Sequence, residues 1–187
     1  MADFLILYGT TDGQTAKIAQ RLANELRSLG ALTEVANAAV RPQPSPEPYR
    51  MVVVAASLHA SGYQSEVRLW LQRHAAALAA RPTAFISVCL GVLQHDPAVN
   101  LELDRIMQEL FAETGWTPST LKIVAGALPY TKYNLLKRLM MRRIVRKAHG
   151  DIDTTRDYEY TDWNDLTAFA RTLVQLMPTA QSLRIAG

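Results

Sequence analysis

The residues best suited to chemistry stand near the start of the chain. Gly9 to Thr15 reads GTTDGQT and follows the apolar run FLILY at Phe4 to Tyr8. Three threonine hydroxyls and a series of backbone N–H groups converge there. The residues after them have helical spacing, so the positive end of a helix points at the same spot. The loop lacks the lysine of a nucleoside-triphosphate loop and the three glycines of a dinucleotide fingerprint. A single phosphate ester held by neutral donors is the expected ligand of Thr10, Thr11, Asp12, Gly13, Gln14 and Thr15. The alternative is a polar turn in which threonine caps the helix.

Two further loops hold equivalent places. Ser57 to Gln64 (SLHASGYQ) follows the run MVVVAA, and Ser87 to Gly91 (SVCLG) closes the run TAFISV. In open α/β sheets, ligands sit beyond the carboxyl ends of the strands, near the reversal of strand order. His59 reads as a ligand contact or as a solvated loop side chain. Tyr63 reads as a ligand neighbour or as a helix-start residue packing on the surface. Cys89 has the character of a small buried hydrophobe and is not assigned a catalytic role.

The elements that would position these loops follow from periodicity. Strands are predicted at Phe4–Tyr8, Thr33–Ala36, Met51–Ala56, Thr83–Val88 and Leu121–Leu128. Helices are predicted over Thr15–Leu29, Tyr63–Ala79, Ala98–Thr114 and Asp162–Met177. The proline-rich stretch RPQPSPEP, Arg41 to Pro48, forces an extended connection. Alternating strands and helices imply right-handed crossovers and a doubly wound parallel sheet covered on both faces. The 187 residues suit one domain, expected over residues 1–177, with 178–187 as a disordered tail. Pro129 to Tyr160 breaks the alternation and reads as an insertion between the last strand and the last helix.

Charge is segregated. The chain carries +3, yet no acidic residue occurs from Thr114 to Gly150, where eight lysines and arginines stand; the rest of the chain is therefore at −5. On a helical wheel Leu135, Leu136, Leu139 and Met140 share a face opposite Lys137, Arg138 and Arg142. Beyond Met141 the pattern rotates, with Ile144, Val145 and Ala148 opposed by Arg143, Arg146 and Lys147. Two short helical pieces, or a bent one, fit this better than one straight helix. Such a segment suits an anionic lipid surface or a polyanionic ligand, or it is a solvated face. Nucleic acid is not expected, because no binding module is recognisable and the remainder is acidic.

One cysteine, Cys89, excludes an internal disulfide and suits a reducing compartment. No secretory signal precedes the first strand, and no apolar run reaches the roughly 18 residues of a spanning helix. A cytoplasmic location is the expectation.

Ile6 to Leu22 (ILYGTTDGQTAKIAQRL) resembles the flavodoxin signature at Ile6, Leu7, Tyr8, Thr10, Gly13, Thr15, Ala19 and Leu22. The resemblance implies a flavodoxin-like five-stranded sheet of order 2-1-3-4-5, with Thr10 to Thr15 on the phosphate of FMN. It also implies that the isoalloxazine ring lies against Ser57, Leu58, His59, Ala60, Ser61, Gly62 and Tyr63, and against Ser87, Val88, Cys89, Leu90 and Gly91. Electron-carrier flavodoxins usually sandwich the ring between aromatic side chains. Here the second loop offers Tyr63 and the third offers none, which leaves one ring face open to a large planar substrate.

Across nearly the whole chain, AGALPY at Ala125 to Tyr130, the basic stretch, GDIDTTR at Gly150 to Arg156 and YTDW at Tyr160 to Trp163 extend the likeness. With TTDGQT and VAASLHASGYQ, they resemble the menaquinone-dependent protoporphyrinogen IX dehydrogenase family. That resemblance implies FMN-dependent removal of six electrons from protoporphyrinogen IX in haem synthesis, with menaquinone or ubiquinone in the membrane as acceptor. It also implies peripheral attachment to the cytoplasmic face of the inner membrane. Lys137, Arg138, Arg142, Arg143, Arg146 and Lys147 could pair with substrate propionates or rest on the bilayer, the second use being slightly favoured. No catalytic side chain carries over. An electron-carrier flavodoxin, an NAD(P)H:quinone reductase of the same fold and a flavin-free adaptor stand as alternatives. The oligomeric state is not fixed by the sequence.

Overall fold

Five of the strands pair in parallel, and their order reverses beside the first. The computed structural model describes residues 2–59, 62–132 and 153–178. The strands are β1 (Phe4–Gly9), β2 (Thr33–Asn37), β3 (Met51–Ser57), β4 (Thr83–Cys89) and β5 (Thr120–Ala125), in the order β2-β1-β3-β4-β5. Helices α1 (Gln14–Ser28), α2 (Ser65–Ala79), α3 (Pro97–Thr114) and α4 (Trp163–Leu176) cover the two faces. The expected sheet order is the one observed.

The strand run reads as nearly continuous hydrophobics because both faces of the sheet are covered. β3 and β4 are buried along their whole length. Alternation then divides their side chains between two cores. Phe4, Ile6, Val53, Ile86 and Val88 meet Ile18 and Leu22 of α1 and Leu166 and Leu173 of α4. Leu5, Leu7, Val54 and Phe85 meet Val67 and Trp70 of α2, Met107 and Phe111 of α3, and Trp116. Register fixes this division, since Leu5 lies opposite Val52 and Leu7 opposite Val54.

Local chemistry sets the helix ends. Asp96 accepts from Ala98 N–H at 2.8 Å ahead of Pro97, a residue suited to the first helical position. Asp162 accepts from the N–H groups of Asn164 and Asp165 at 2.9 and 3.0 Å, which starts α4. Gly115, at φ +67°, ends α3 in the left-handed conformation that glycine adopts freely.

Two boundaries differ from expectation. The predicted helix from Tyr63 begins only at Ser65, because Gln64 is extended (ψ 135°) and the chain before it makes a His59–Gly62 bridge. The predicted strand Leu121–Leu128 divides at Gly126. Beyond Ala125 there is no β4 residue left to pair with, since Cys89, its partner, ends that strand. The chain continues as β6 (Ala127–Leu128), which pairs antiparallel with β7 (Tyr158–Glu159), Ala127 opposite Glu159 and Leu128 opposite Tyr158. This small pair joins the two sides of the insertion, and Asp157 accepts from the backbone N–H and hydroxyl of Thr131, both at 2.9 Å. The basic residues Lys137 to Lys147, the helical pieces expected there and the tail from residue 179 lie outside the described residues.

Candidate functional site

The first loop is built to present donors. Gly13, at φ +96°, turns the chain into α1, and Thr10 Oγ1 accepts its N–H at 3.0 Å. No side chain caps α1, and no acidic residue stands in its first turn. Its leading N–H groups therefore keep the positive end of the helix open. Thr15 is fully buried, and its Oγ1 has no hydrogen-bond partner. A buried hydroxyl normally finds one, so this atom marks a place where an acceptor belongs. Thr10 and Gly13 are joined by their hydrogen bond, with Thr11 exposed beside them and Thr15 buried in the first turn of α1. Gln14 turns away, its Nε2 donating to Thr161 Oγ1 at 2.9 Å, while that hydroxyl donates to Ala125 O at 2.8 Å.

Gln64 ties the first loop to the second. Its Nε2 donates to Ser57 Oγ at 2.7 Å, Ser57 O at 3.0 Å and Thr11 Oγ1 at 3.2 Å. The side chain lies across Gly9, where an added Cβ would sit 2.5 Å from Val67 Cγ2 and 2.9 Å from Gln64 Oε1. Only glycine admits that approach. The sequence named Gln64 merely as the end of a loop, and a single amide gave no sign of this bridging role. His59 reaches Ser57 Oγ at 3.2 Å through Nε2, and Leu58 N–H donates to Val88 O at 2.9 Å. A cleft of about 420 Å³ runs beside these residues, lined among others by Thr11, His59, Gly62, Gln64 and Arg68.

Of the expected ring neighbours, Ser87 and Val88 lie within a strand, and Tyr63 is buried at the edge of the cleft. Tyr63 is buried, its hydroxyl 2.8 Å from Ser87 Oγ and its ring edge-on to Phe85 at 5.3 Å. Burial holds its phenol far above the ordinary range, with the Ser87 bond partly opposing. Ser87 and Val88 lie inside β4 and not in a loop, Val88 pointing into the opposite core. Strand alternation turns the side chains of Ser87 and Val88 inward, whereas Tyr63 stands in the loop before α2 and also lines the cleft. The loop proper starts at Leu90 and runs into the short 3₁₀ turn Gly91–Gln94. Cys89 is also buried, and burial pushes its thiol up despite backbone hydrogen bonds at Val92 and Gly91. Ala60 and Ser61 lie outside the described residues.

The return strand β7 closes the site on the α1 side. Glu159 pairs with Lys17 and accepts from Trp163 Nε1 at 2.9 Å, while the Lys17 ammonium lies 5.4 Å from the Trp163 ring centroid. Burial raises the Glu159 carboxyl, but the hydrogen bonds from Lys17 and Trp163 and the Lys17 charge together hold it below the usual range. Among the described residues, no group of three or more His, Cys, Asp or Glu side chains is placed to hold a metal.

Comparison with known proteins gives this geometry its setting. Residues 5–155 match the family described as Flavodoxin domain. Protoporphyrinogen IX dehydrogenase (quinone) of Escherichia coli strain K12 is 35% identical over 172 residues, which is 92% of this chain and 94% of that one. The protein of the same name from Leishmania major is 30% identical over 173 residues, 89% of this chain and 72% of the other.

The chain belongs to the protoporphyrinogen IX dehydrogenase (quinone) family.

This is an oxidoreductase family on a flavodoxin domain. Solved flavodoxins share its fold. Oxidised Flavodoxin 1 of Bacillus cereus superposes with a TM-score of 0.56 at 14% identity, covering 95% of this chain and all of its own. Flavodoxin 2 of the same organism gives 0.54 at 15% identity, over 93% and 99%. FMN, the cofactor that a flavodoxin domain implies, fits the residues present. The partnerless Thr15 hydroxyl and the uncapped start of α1 supply what a phosphate monoester requires. No helix among the described residues is long and apolar enough to cross a membrane.

Proposed function

We propose that this protein oxidises protoporphyrinogen IX to protoporphyrin IX, passing six electrons through FMN to a membrane quinone. Sequence identity of 35% over 92% of the chain to a relative of that name carries the reading. The strand-end site, with Thr15 Oγ1 awaiting an acceptor, supports the cofactor's place within it.

Bound FMN supplies the hydride acceptor and donor, and three two-electron turns account for the six electrons. The chain's own residues bind and orient. Thr10, Thr11, Gly13 and Thr15 hold the phosphate with hydroxyl and backbone donors, with no cation required. Leu58, His59, Gly62 and Tyr63, with Leu90 and Gly91, border the ring, while the side chains of Ser87 and Val88 are occupied inside the fold. Gln64 fixes the spacing between the phosphate loop and the ring loop by holding Thr11 and Ser57 at once. The basic residues Lys137, Arg138, Arg142, Arg143, Arg146 and Lys147 bring the site to the anionic bilayer in which the quinone is dissolved.

The test is an anaerobic assay of the FMN-loaded protein with protoporphyrinogen IX, followed by porphyrin fluorescence with and without a menaquinone analogue. Quinone-dependent porphyrin formation is expected. Absence of porphyrin, with rapid flavin reduction by NADH, would make the protein a quinone reductase of the same fold.

A further inference from the structure

Strand β7 carries side chains to two places at once. Glu159 points to α1, and its neighbours Tyr158 and Tyr160 point the other way, as alternation along a strand requires. The two rings are nearly parallel, at 9°, with centroids 6.3 Å apart. Both are half-buried, while Tyr130 lies fully buried behind them, edge-on to Tyr158 at 6.2 Å. Arg156 stands over the Tyr158 ring, its guanidinium carbon 5.1 Å from the centroid, and donates from Nε to the Tyr158 hydroxyl at 2.9 Å. Asp153 holds the same guanidinium at 3.4 Å in an exposed ion pair.

The position of this wall gives it meaning. Gly126 N–H donates to Cys89 O at 3.2 Å, and Tyr160 N–H donates to Gly126 O at 3.1 Å. Tyr160 is thus two hydrogen bonds away from the end of β4, and Leu90, which opens the third loop, packs against the same cluster. The aromatic surface missing from that loop is supplied here by residues about seventy positions further along the chain. It stands beyond the carboxyl ends of β4 and β5, on the side of a ligand site that such sheets reserve for ligands.

We propose that Tyr158, Tyr160 and Arg156 form the face that receives the tetrapyrrole, with Arg156 as partner of a propionate carboxylate. This rests on the reaction proposed above and adds the substrate's location. Aromatic faces suit pyrrole rings laid against them, and an arginine braced on a ring presents a planar fork matched to a carboxylate. Asp153 is exchanged for the incoming carboxylate, a small loss because its pair with Arg156 is exposed. A neutral quinone would gain nothing from this cation.

The experiment compares FMN-loaded wild type with Arg156→Gln, Tyr160→Leu and Tyr160→Phe. Binding of protoporphyrin IX and of its uncharged dimethyl ester is measured by fluorescence in one nonionic detergent, beside KM for protoporphyrinogen IX and for quinone. Wild type is expected to favour the diacid over the ester, and Arg156→Gln to raise the substrate KM about tenfold while erasing that preference. Tyr160→Leu is expected to weaken both porphyrins, and Tyr160→Phe to restore them. Variants that match wild type, or a quinone KM that rises in place of the porphyrinogen KM, would overturn the assignment while leaving the reaction intact. FMN-loaded wild type that neither binds nor oxidises the tetrapyrrole would overturn the reaction itself, and this proposal with it.

Discussion

Thr15, as placed in the proposed phosphate site, carries an atom costly in the empty protein and useful in the loaded one. Its hydroxyl is buried without a partner, a state that destabilises the fold by an amount comparable to a lost hydrogen bond. Replacing it by the near-isosteric valine should leave the flavin-free protein as stable or raise its stability by up to about 1 kcal/mol. The same change should weaken FMN about tenfold or more, because a hydrogen bond to a charged phosphate contributes about 1.5–3 kcal/mol. Thermal melts of the apo-protein and flavin titration read the two effects separately. Equal flavin affinity in Thr15→Val would remove the phosphate from this loop. At this scale the sequence made the donor-rich character of Thr10 to Thr15 legible, since their hydroxyls and Gly13 stand in one short loop before α1. It was silent on the direction of Ser87, which depends on where β4 ends, and it left Tyr63 between a ligand neighbour and a residue packing at a helix start. It was silent too on Gln64, whose three acceptors come from Ser57 and Thr11 and meet only in space.

The elements show the same division. Apolar runs and 3.6-residue spacing revealed β1, β3, β4, α1, α3 and α4 to within a residue or two. β7 is two residues long and carries no run at all, so only its antiparallel partner defines it. The break at Gly126 was equally hidden, because β5 stops for want of a neighbour and not for want of hydrophobic residues. The pairing of Lys17 with Glu159 fastens β7 to α1, and its pH dependence follows from the lowered carboxyl. A carboxyl depressed in the folded state contributes stability above its unfolded value of about 4.3, and that contribution is lost as pH falls through the lower folded value. Glu159→Gln should therefore lose less melting temperature than wild type between about pH 6 and pH 3. Both side chains are partly exposed, so the difference should be small and should shrink further in high salt. Trp163 fluorescence reports the same transition locally, since its indole N–H is bound to Glu159.

For the whole molecule the governing feature is charge placed against its own background. Eight basic residues and no acidic ones between Thr114 and Gly150 oppose a body at −5. If the segment holds the protein at the bilayer, changing Arg142, Arg143 and Arg146 together to Glu should abolish binding to anionic liposomes. Activity on detergent-dispersed substrate and quinone should persist. At roughly 1 kcal/mol for each cation near an anionic surface, reversing three charges removes several orders of magnitude of affinity. Binding that survives the change, with a raised porphyrinogen KM, would give these arginines to the substrate.

The hydrogen bonds between Thr131 and Asp157 bring the two stems of the insertion together. The five-stranded sheet is closed before the insertion begins, and β6 with β7 seals the gap. All five strands of the sheet thus precede the segment, and its two stems are tied to each other. A chain lacking residues 132–156, with Thr131 joined to Asp157 through a short glycine-containing turn, should fold and bind FMN like the parent. It should lose its liposome affinity in one step, and a neutral replacement of equal length should not restore it. The same mounting points could then accept a different surface-seeking segment and redirect an unchanged flavin site to another phase boundary.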